Sequence, residues 1–238
     1  MSRPRKPATK PIRRPRRAAS PPVEGERKRD ATRKHLLERA LALFQKRGVE
    51  ATTMRDIAKA AGMSLGAAYY YFPSKEALVF AYYEDNQADL EQLAQAASGT
   101  VREQLGTIFH GKLATIRPQR KMLAAIVQRL VDPSDPVSAF SAQTRAVRDH
   151  ALGVLDRVLV KAGLPPEVLP LATRALWLLQ MAMMLVYVND DSPDERRTHG
   201  LVDDALDMIV PMLPMLATPM GRALAERVTA ALTRAEIV

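Results

Sequence analysis

From Glu26 onward, apolar residues recur three and four positions apart, and no stretch alternates apolar and polar positions long enough to make a sheet. The pattern predicts an all-α chain of about ten helices without internal repeats. Leu37, Leu41 and Phe44 stripe a first helix that Gly48 stops. Thr52 or Thr53 caps a short second helix carrying Met54, Ile57, Ala58 and Ala61, after which Gly62 turns the chain. Ser64 caps a third short helix through Ala68 and Phe72, ended by Pro73. Ser74 caps a longer one through Leu78 and Tyr82 to about Ala97.

Thr100-x-x-Glu103 reads as a capping box before an apolar run to Ile116, and Pro118 suits the first turn of a helix ending near Val131. Asp135-Pro136 is expected to open a helix carrying Phe140, Val147, Leu152, Leu155 and Leu159 to a stop at Gly163. Pro165-Pro166 introduces another, to Val188. Ser192-Pro193-x-Glu195 reads as a second capping box, for a helix ending around Pro211, and Thr218-Pro219 starts a last helix with Leu224, Val228 and Leu232. The longest apolar run, Ala175 to Val188, has 14 residues and includes Gln180. A bilayer span needs roughly 20, so the run is expected to be a buried helix and no membrane partner is expected.

Aromatics are only 5% of the chain against 47% hydrophobic residues, so Leu, Ala, Val and Met must supply the core, a mixture that favours helices. Cysteine is absent, which excludes disulfides, thiolate zinc sites and cysteine nucleophiles. With no secretory-signal pattern, the expected location is the cytoplasm, at the nucleoid if the chain binds DNA. The formal charge of +9 is uneven: residues 1–80 carry a net +12 and residues 81–238 a net −3. A polyanion partner is therefore expected for the first third only. Residues 1–24 hold eight Lys or Arg among prolines with almost nothing to bury, and are expected to be a disordered basic arm. Such an arm is either a solvated tail or a strand of charge that tracks phosphates or a minor groove.

Residues 52–78, TTMRDIAKAAGMSLGAAYYYFPSKEAL, carry the strongest signal. Two short helices about a Gly turn on a basic segment make a helix-turn-helix, although the pattern also fits a hairpin in an ordinary helical core. Small residues at the start of the second of these helices permit close approach to a groove, and tyrosine hydroxyls reach phosphates. The run from Thr53 through Ile57-Ala58, Ala61-Gly62, Ser64, Gly66, Tyr69-Tyr70, Phe72 and Ser74-Lys75-Glu76-Ala77-Leu78 resembles the DNA-binding signature of the TetR family of bacterial transcriptional regulators. Phe44, Gly48 and the Thr pair fit as well. The resemblance covers residues 27–80, and the remainder resembles the family only in being helical and of suitable length.

By that resemblance Ser64 to Tyr71 form the recognition helix. Thr53 and Arg55 lie near phosphate, Tyr69, Tyr70 and Lys75 bind backbone phosphates, and Leu65, Gly66 and Ala67 face base edges. Leu65 and Ala67 stand where polar readers are frequent in the family, and Tyr71 replaces a frequent histidine. Hydrogen-bond readout therefore looks poor, leaving thymine-methyl contacts or backbone approach at Gly66. Periodicity alone puts Leu65 in the core with Ala68 and Phe72, whereas the resemblance turns it toward DNA, the reading adopted here.

Seven of the eleven methionines lie between Met181 and Met220. They read either as packing or as the wall of an adaptable apolar cavity. Candidate ligand residues are His110, Arg117, Trp177, Gln180, Met181 and Met184, though a Trp on an apolar helix is commonly core. The resemblance implies that two long helices, about 167–188 and 193–210, pair with a second subunit. Four scattered histidines show no metal spacing, no phosphate loop follows a strand, and the acidic run Asp190 to Glu195 reads as a turn and cap. No catalytic residue, metal or cofactor is expected.

The expectation is thus an all-α chain in three parts: the basic arm 1–24, a three-helix helix-turn-helix DNA-binding domain 25–80, and a larger helical ligand-binding and dimerisation domain 81–238. Its expected work is ligand-responsive repression, a homodimer on a palindromic double-stranded operator released by a small hydrophobic effector. A non-specific architectural DNA binder or a ligand-independent activator are the alternatives.

Overall fold

A computed structural model describes residues 24–132 and 134–234. The expected basic arm lies outside them, apart from Glu24. Eleven α-helices follow in order: α1 Glu24–Arg47, α2 Met54–Ala60, α3 Leu65–Tyr71, α4 Lys75–Ala96, α5 Val101–Ile116, α6 Arg120–Val131, α7 Arg145–Lys161, α8 Leu169–Val188, α9 Arg196–Ile209, α10 Leu213–Leu216 and α11 Pro219–Arg234. Short 3-10 turns at Arg117–Gln119, Pro193–Glu195 and Val210–Met212 lead into α6, α9 and α10. Among the described residues there is no strand.

The N-terminal helices close around Leu36, Leu37, Ala40 and Phe44 of α1, Ile57 and Ala58 of α2, Ala68 of α3, and Phe72. Each of the Leu, Ile and Phe side chains contributes about 1.5–3 kcal/mol when fully buried, enough to hold two helices of seven residues each that have no independent stability. α4 runs unbroken across positions 80 and 81, so one rigid rod joins the two expected domains. Leu78 and Val79 near its start are buried, as is Leu90 further along. α5 crosses α4 closely at Gly111, where an added Cβ would lie 2.4 Å from a methyl of Leu93. α6 touches α1, and Arg129 on α6 donates to Glu50 at 2.9 Å and to Asp135 at 2.7 Å.

α8, the most apolar helix, is long enough to cross a membrane, yet one face of it is core. Leu176, Trp177, Gln180, Met183 and Tyr187 are buried where it packs on α7, α6 and α9.

Two expected helix starts are corrected. The helix placed at Asp135 begins at Arg145. Asp135 is taken by Arg129 and by the Val137 amide, and Thr144 Oγ1 donates to the Ser138 carbonyl at 2.6 Å while Ser138 Oγ donates to that of Leu130 at 2.9 Å. These short side chains compete with helical backbone bonding and hold residues 134–144 as successive turns. The Ser192–Glu195 capping box does not form either. Asp194 and Glu195 adopt left-handed φ of 52° and 51°, and Glu195 turns to Arg120 at 3.2 Å. Asp190 does the capping instead. Its Oδ2 accepts from the Thr198 amide at 2.8 Å inside the first turn of α9.

Candidate nucleic-acid interface and interior cavity

α2 and α3 are set by their caps. Thr53 Oγ1 accepts from the Asp56 amide at 3.2 Å, and the Asp56 carboxylate accepts from the Thr53 amide at 3.0 Å. These bonds to Thr53, helped by Arg47 at 2.9 Å, hold the Asp56 carboxyl below its ordinary range. Gly62 turns the chain at φ +67°, a conformation side chains other than glycine rarely adopt. Ser64 Oγ then accepts from the Ala67 amide at 3.1 Å and starts α3.

Of α3, Ala68 is buried with the following Phe72, while Gly66, Tyr69 and Tyr70 face solvent. Leu65, Ala67 and Tyr71 lie between, and Leu65 and Tyr71 pack against the core edge. A Cβ on Gly66 would meet nothing within 4 Å and its φ is not positive, so the fold itself does not demand glycine there. Tyr70 makes an edge contact with Tyr71 at 5.2 Å, and the Arg29 guanidinium lies 5.7 Å from the Tyr70 ring. Arg33 lies 4.8 Å from the Phe72 ring, so α1 sets two cations beside α3. Sequence reading missed both, since only folding brings α1 alongside α3. Arg55 is exposed at the start of α2, beside Thr53. Lys75 is differently engaged from the phosphate role expected of it: its amine donates to the Val49 carbonyl at 2.8 Å and ties α4 to the loop after α1.

In the second half, α4, α5, α6, α7 and α8 line a half-open cavity of about 90 Å³. Trp177, Gln180, Met181 and Met184 all line it, together with Tyr82, Tyr83, Asn86, Gln87 and Leu90 of α4. Two expected ligand residues do not. His110 faces α9, its Nδ1 2.7 Å from His199 Nδ1 and its Nε2 3.0 Å from Asp203. Arg117 pairs with Asp194 at 3.1 Å and Glu195 at 3.3 Å. Both side chains meet partners about 80 or more positions away in sequence, which local pattern does not reveal. Lys112 and Arg148 line the cavity and were missed. The available signal for Lys112 was one cation inside the apolar run Phe109, Leu113, Ile116.

The cavity wall is mostly apolar with a few buried polar atoms lacking partners, Tyr82 Oη, Gln87 Oε1 and Gln180 Nε2. Burial pushes the Tyr82 hydroxyl up to about 12, so it is a neutral donor at physiological pH. Among the described residues no group of His, Asp and Glu is arranged to hold a metal.

Residues 36–82 match the family model for bacterial regulatory proteins of the tetR family. The HTH-type transcriptional regulator AcrR of Shigella flexneri is 30% identical over 135 residues, 53% of this chain and 60% of AcrR. The HTH-type transcriptional repressor KstR2 of Rhodococcus jostii is 46% identical over 59 residues, 25% of this chain and 29% of KstR2. The chain thus spans less than two thirds of either relative. A TetR transcriptional regulator from Nitrosomonas europaea shares the fold at TM-score 0.60 and 19% identity, over 74% of this chain and 96% of that one. FadR of Bacillus subtilis, solved with stearoyl-CoA, shares it at TM-score 0.60 and 19% identity, over 73% and 96%. The matched signature lies on a capped, Gly-turned helix pair, so residues 36–82 form a helix-turn-helix of the TetR type, and the helices behind it share the fold of the solved regulators.

Proposed function

We propose that this protein is a ligand-responsive repressor that binds a palindromic operator as a homodimer and leaves it when a small hydrophobic molecule occupies the cavity. One observation carries the reading. α4 begins against the DNA-binding helices, through Lys75 and Leu78, and its middle forms one wall of the cavity, through Tyr82, Tyr83, Asn86, Gln87 and Leu90. A ligand that bears on that wall moves a helix tied to α1 and to the loop after it, and the α2–α3 unit packs on α1 through α2.

Dimerisation is supported by an exposed seam. Ala175, Leu178, Ala182 and Val186 of α8 share one outward face at helical spacing, and Gly200, Leu201 and Met208 of α9 are also exposed. Small and apolar residues on adjacent helices suit close packing against a second copy. In such a dimer two α3 helices meet successive major grooves roughly 34–36 Å apart. Tyr69 and Tyr70 hold backbone phosphates while Gly66, Ala67 and Leu65 approach the base edges. The ligand lowers DNA affinity by its differential affinity for the two spacings.

Selection of bound fragments from a genomic library, followed by salt titration against random competitor, tests this. An inverted repeat held with large preference supports it, and equal binding to random DNA overturns it in favour of an architectural role.

A further inference from the structure

The cavity wall contains two cations, Lys112 and Arg148, and no carboxylate. Neither cation makes an ion pair among the described residues. Arg148 donates to the carbonyls of Ala139 and Ser141, at 2.8 and 3.4 Å. Lys112 has only the Asn86 carbonyl, at 3.5 Å, the outer limit of a hydrogen bond. Asp89 acts on it electrostatically without contact, and burial holds the amine down to about 8. A cation so placed is costly unless something completes its shell. Beside it are donors in the same condition: Gln180, 6% exposed with an unpartnered Nε2, and Tyr82, 5% exposed with an unpartnered hydroxyl. A much smaller space adjoins the cavity and shares Lys112, Ile116, Gln180, Met181 and Met184 with it. Lys112 and Gln180 therefore stand at the junction of two apolar compartments.

Resting on the effector reading above, we propose that the cavity takes a hydrophobic monoanion, with one carboxylate bound by Lys112, Gln180 and Tyr82 and an apolar body lying along Leu90, Met181 and Met184. The carboxylate supplies the negative charge the wall lacks and accepts from the donors that have no partner. The Met side chains adapt to the shape of the body. A neutral ligand of the same shape would leave the ammonium unpaired in a drier cavity than before.

Trp177, the chain's single tryptophan, lines the cavity and reports its occupancy. Purified full-length protein is titrated with decanoate, 1-decanol and decyltrimethylammonium, three heads on one tail, while Trp177 emission is followed. The expected order is decanoate tightest, decanol weaker by about tenfold or more, as loss of a charge-assisted bond implies, and the cation weakest. Lys112→Met should bring decanoate to the level of decanol, and Lys112→Arg should keep the preference. Gln180→Leu provides an independent variant should Lys112→Met fold poorly, and should narrow the preference in the same direction. Decanol binding as tightly as decanoate, or a preference unchanged in both Lys112→Met and Gln180→Leu, overturns the anionic head and leaves the effector cavity standing. Failure of all three probes to reach Trp177 overturns both.

Discussion

The Asp190 carboxylate and Thr198 are joined twice, from the Thr198 amide at 2.8 Å and from its hydroxyl at 2.7 Å, both to Oδ2. Oδ1 accepts from the amide of Ser192 at 2.9 Å and its hydroxyl at 2.6 Å. Four donors on one carboxylate stitch the end of α8 to the first turn of α9, the two helices that carry the proposed dimer seam. They hold the Asp190 carboxyl far below its ordinary range, with Ser192 the largest cause.

A carboxyl lowered in the folded state contributes stability that is present above its unfolded value, near 3.8, and lost as pH falls toward the folded one. Asp190→Asn should therefore lower the melting temperature at neutral pH and flatten its decline below about pH 4. Thermal melts across pH 2.5–7 check this (about seven steps suffice to define the limb); parallel curves for the two proteins would remove Asp190 from that role.

Gly66 separates folding from binding. Glycine in a helix is less stable than alanine by up to about 1 kcal/mol, and a Cβ here meets no protein atom. Gly66→Ala should thus leave stability equal or higher in urea unfolding, while weakening operator binding if this surface lies against bases. Unchanged affinity would place DNA elsewhere.

Tyr69→Phe and Tyr70→Phe should weaken operator and random DNA by similar factors, because phosphate contacts position the protein without specifying sequence. Leu65→Ala should instead alter preference at one or two thymines per half-site, on the order of 1 kcal/mol each. Competition binding against single-base operator variants distinguishes the two behaviours.

Trp177→Phe and Gln180→Ala should shift the ligand concentration at which operator is released. Release curves by fluorescence anisotropy measure this. A simple loss of dimer or of folding would mark the two side chains as packing alone.

Deleting residues 1–24 removes eight positive charges. If they lie on phosphates, the slope of log affinity against log salt falls by about 0.9 per phosphate released, several units for a dimer. A slope unchanged by the deletion would make the segment a solvated tail.

Caps and turns were legible because they are local. Thr53 with Asp56, Ser64 with the Ala67 amide, and Thr100 with Glu103 each close within three residues, and Gly62 needs its positive φ whatever surrounds it. The helix-turn-helix was legible through the resemblance of residues 52–78 to the TetR signature, and the placement of Trp177, Gln180, Met181 and Met184 on one apolar helix was legible from local pattern. The two capping errors share a cause: Asp135 and Glu195 have the chemistry of a cap, but Arg129 and Arg120 compete for them from another part of the fold.

His110, Arg117 and Lys75 show the complementary case. The first two were assigned a ligand from residue type and the third a phosphate from the family resemblance, and each has protein partners, His199 and Asp203, Asp194 and Glu195, and the Val49 carbonyl. Lys112 went the other way, an unremarked residue in an apolar run that packing left without a charged partner inside a cavity. Helical periodicity and capping are short-range properties, so one chain's order of residues suffices for them. Which charges pair and which remain open depends on distances between helices tens of residues apart, and those exist only once the core has closed.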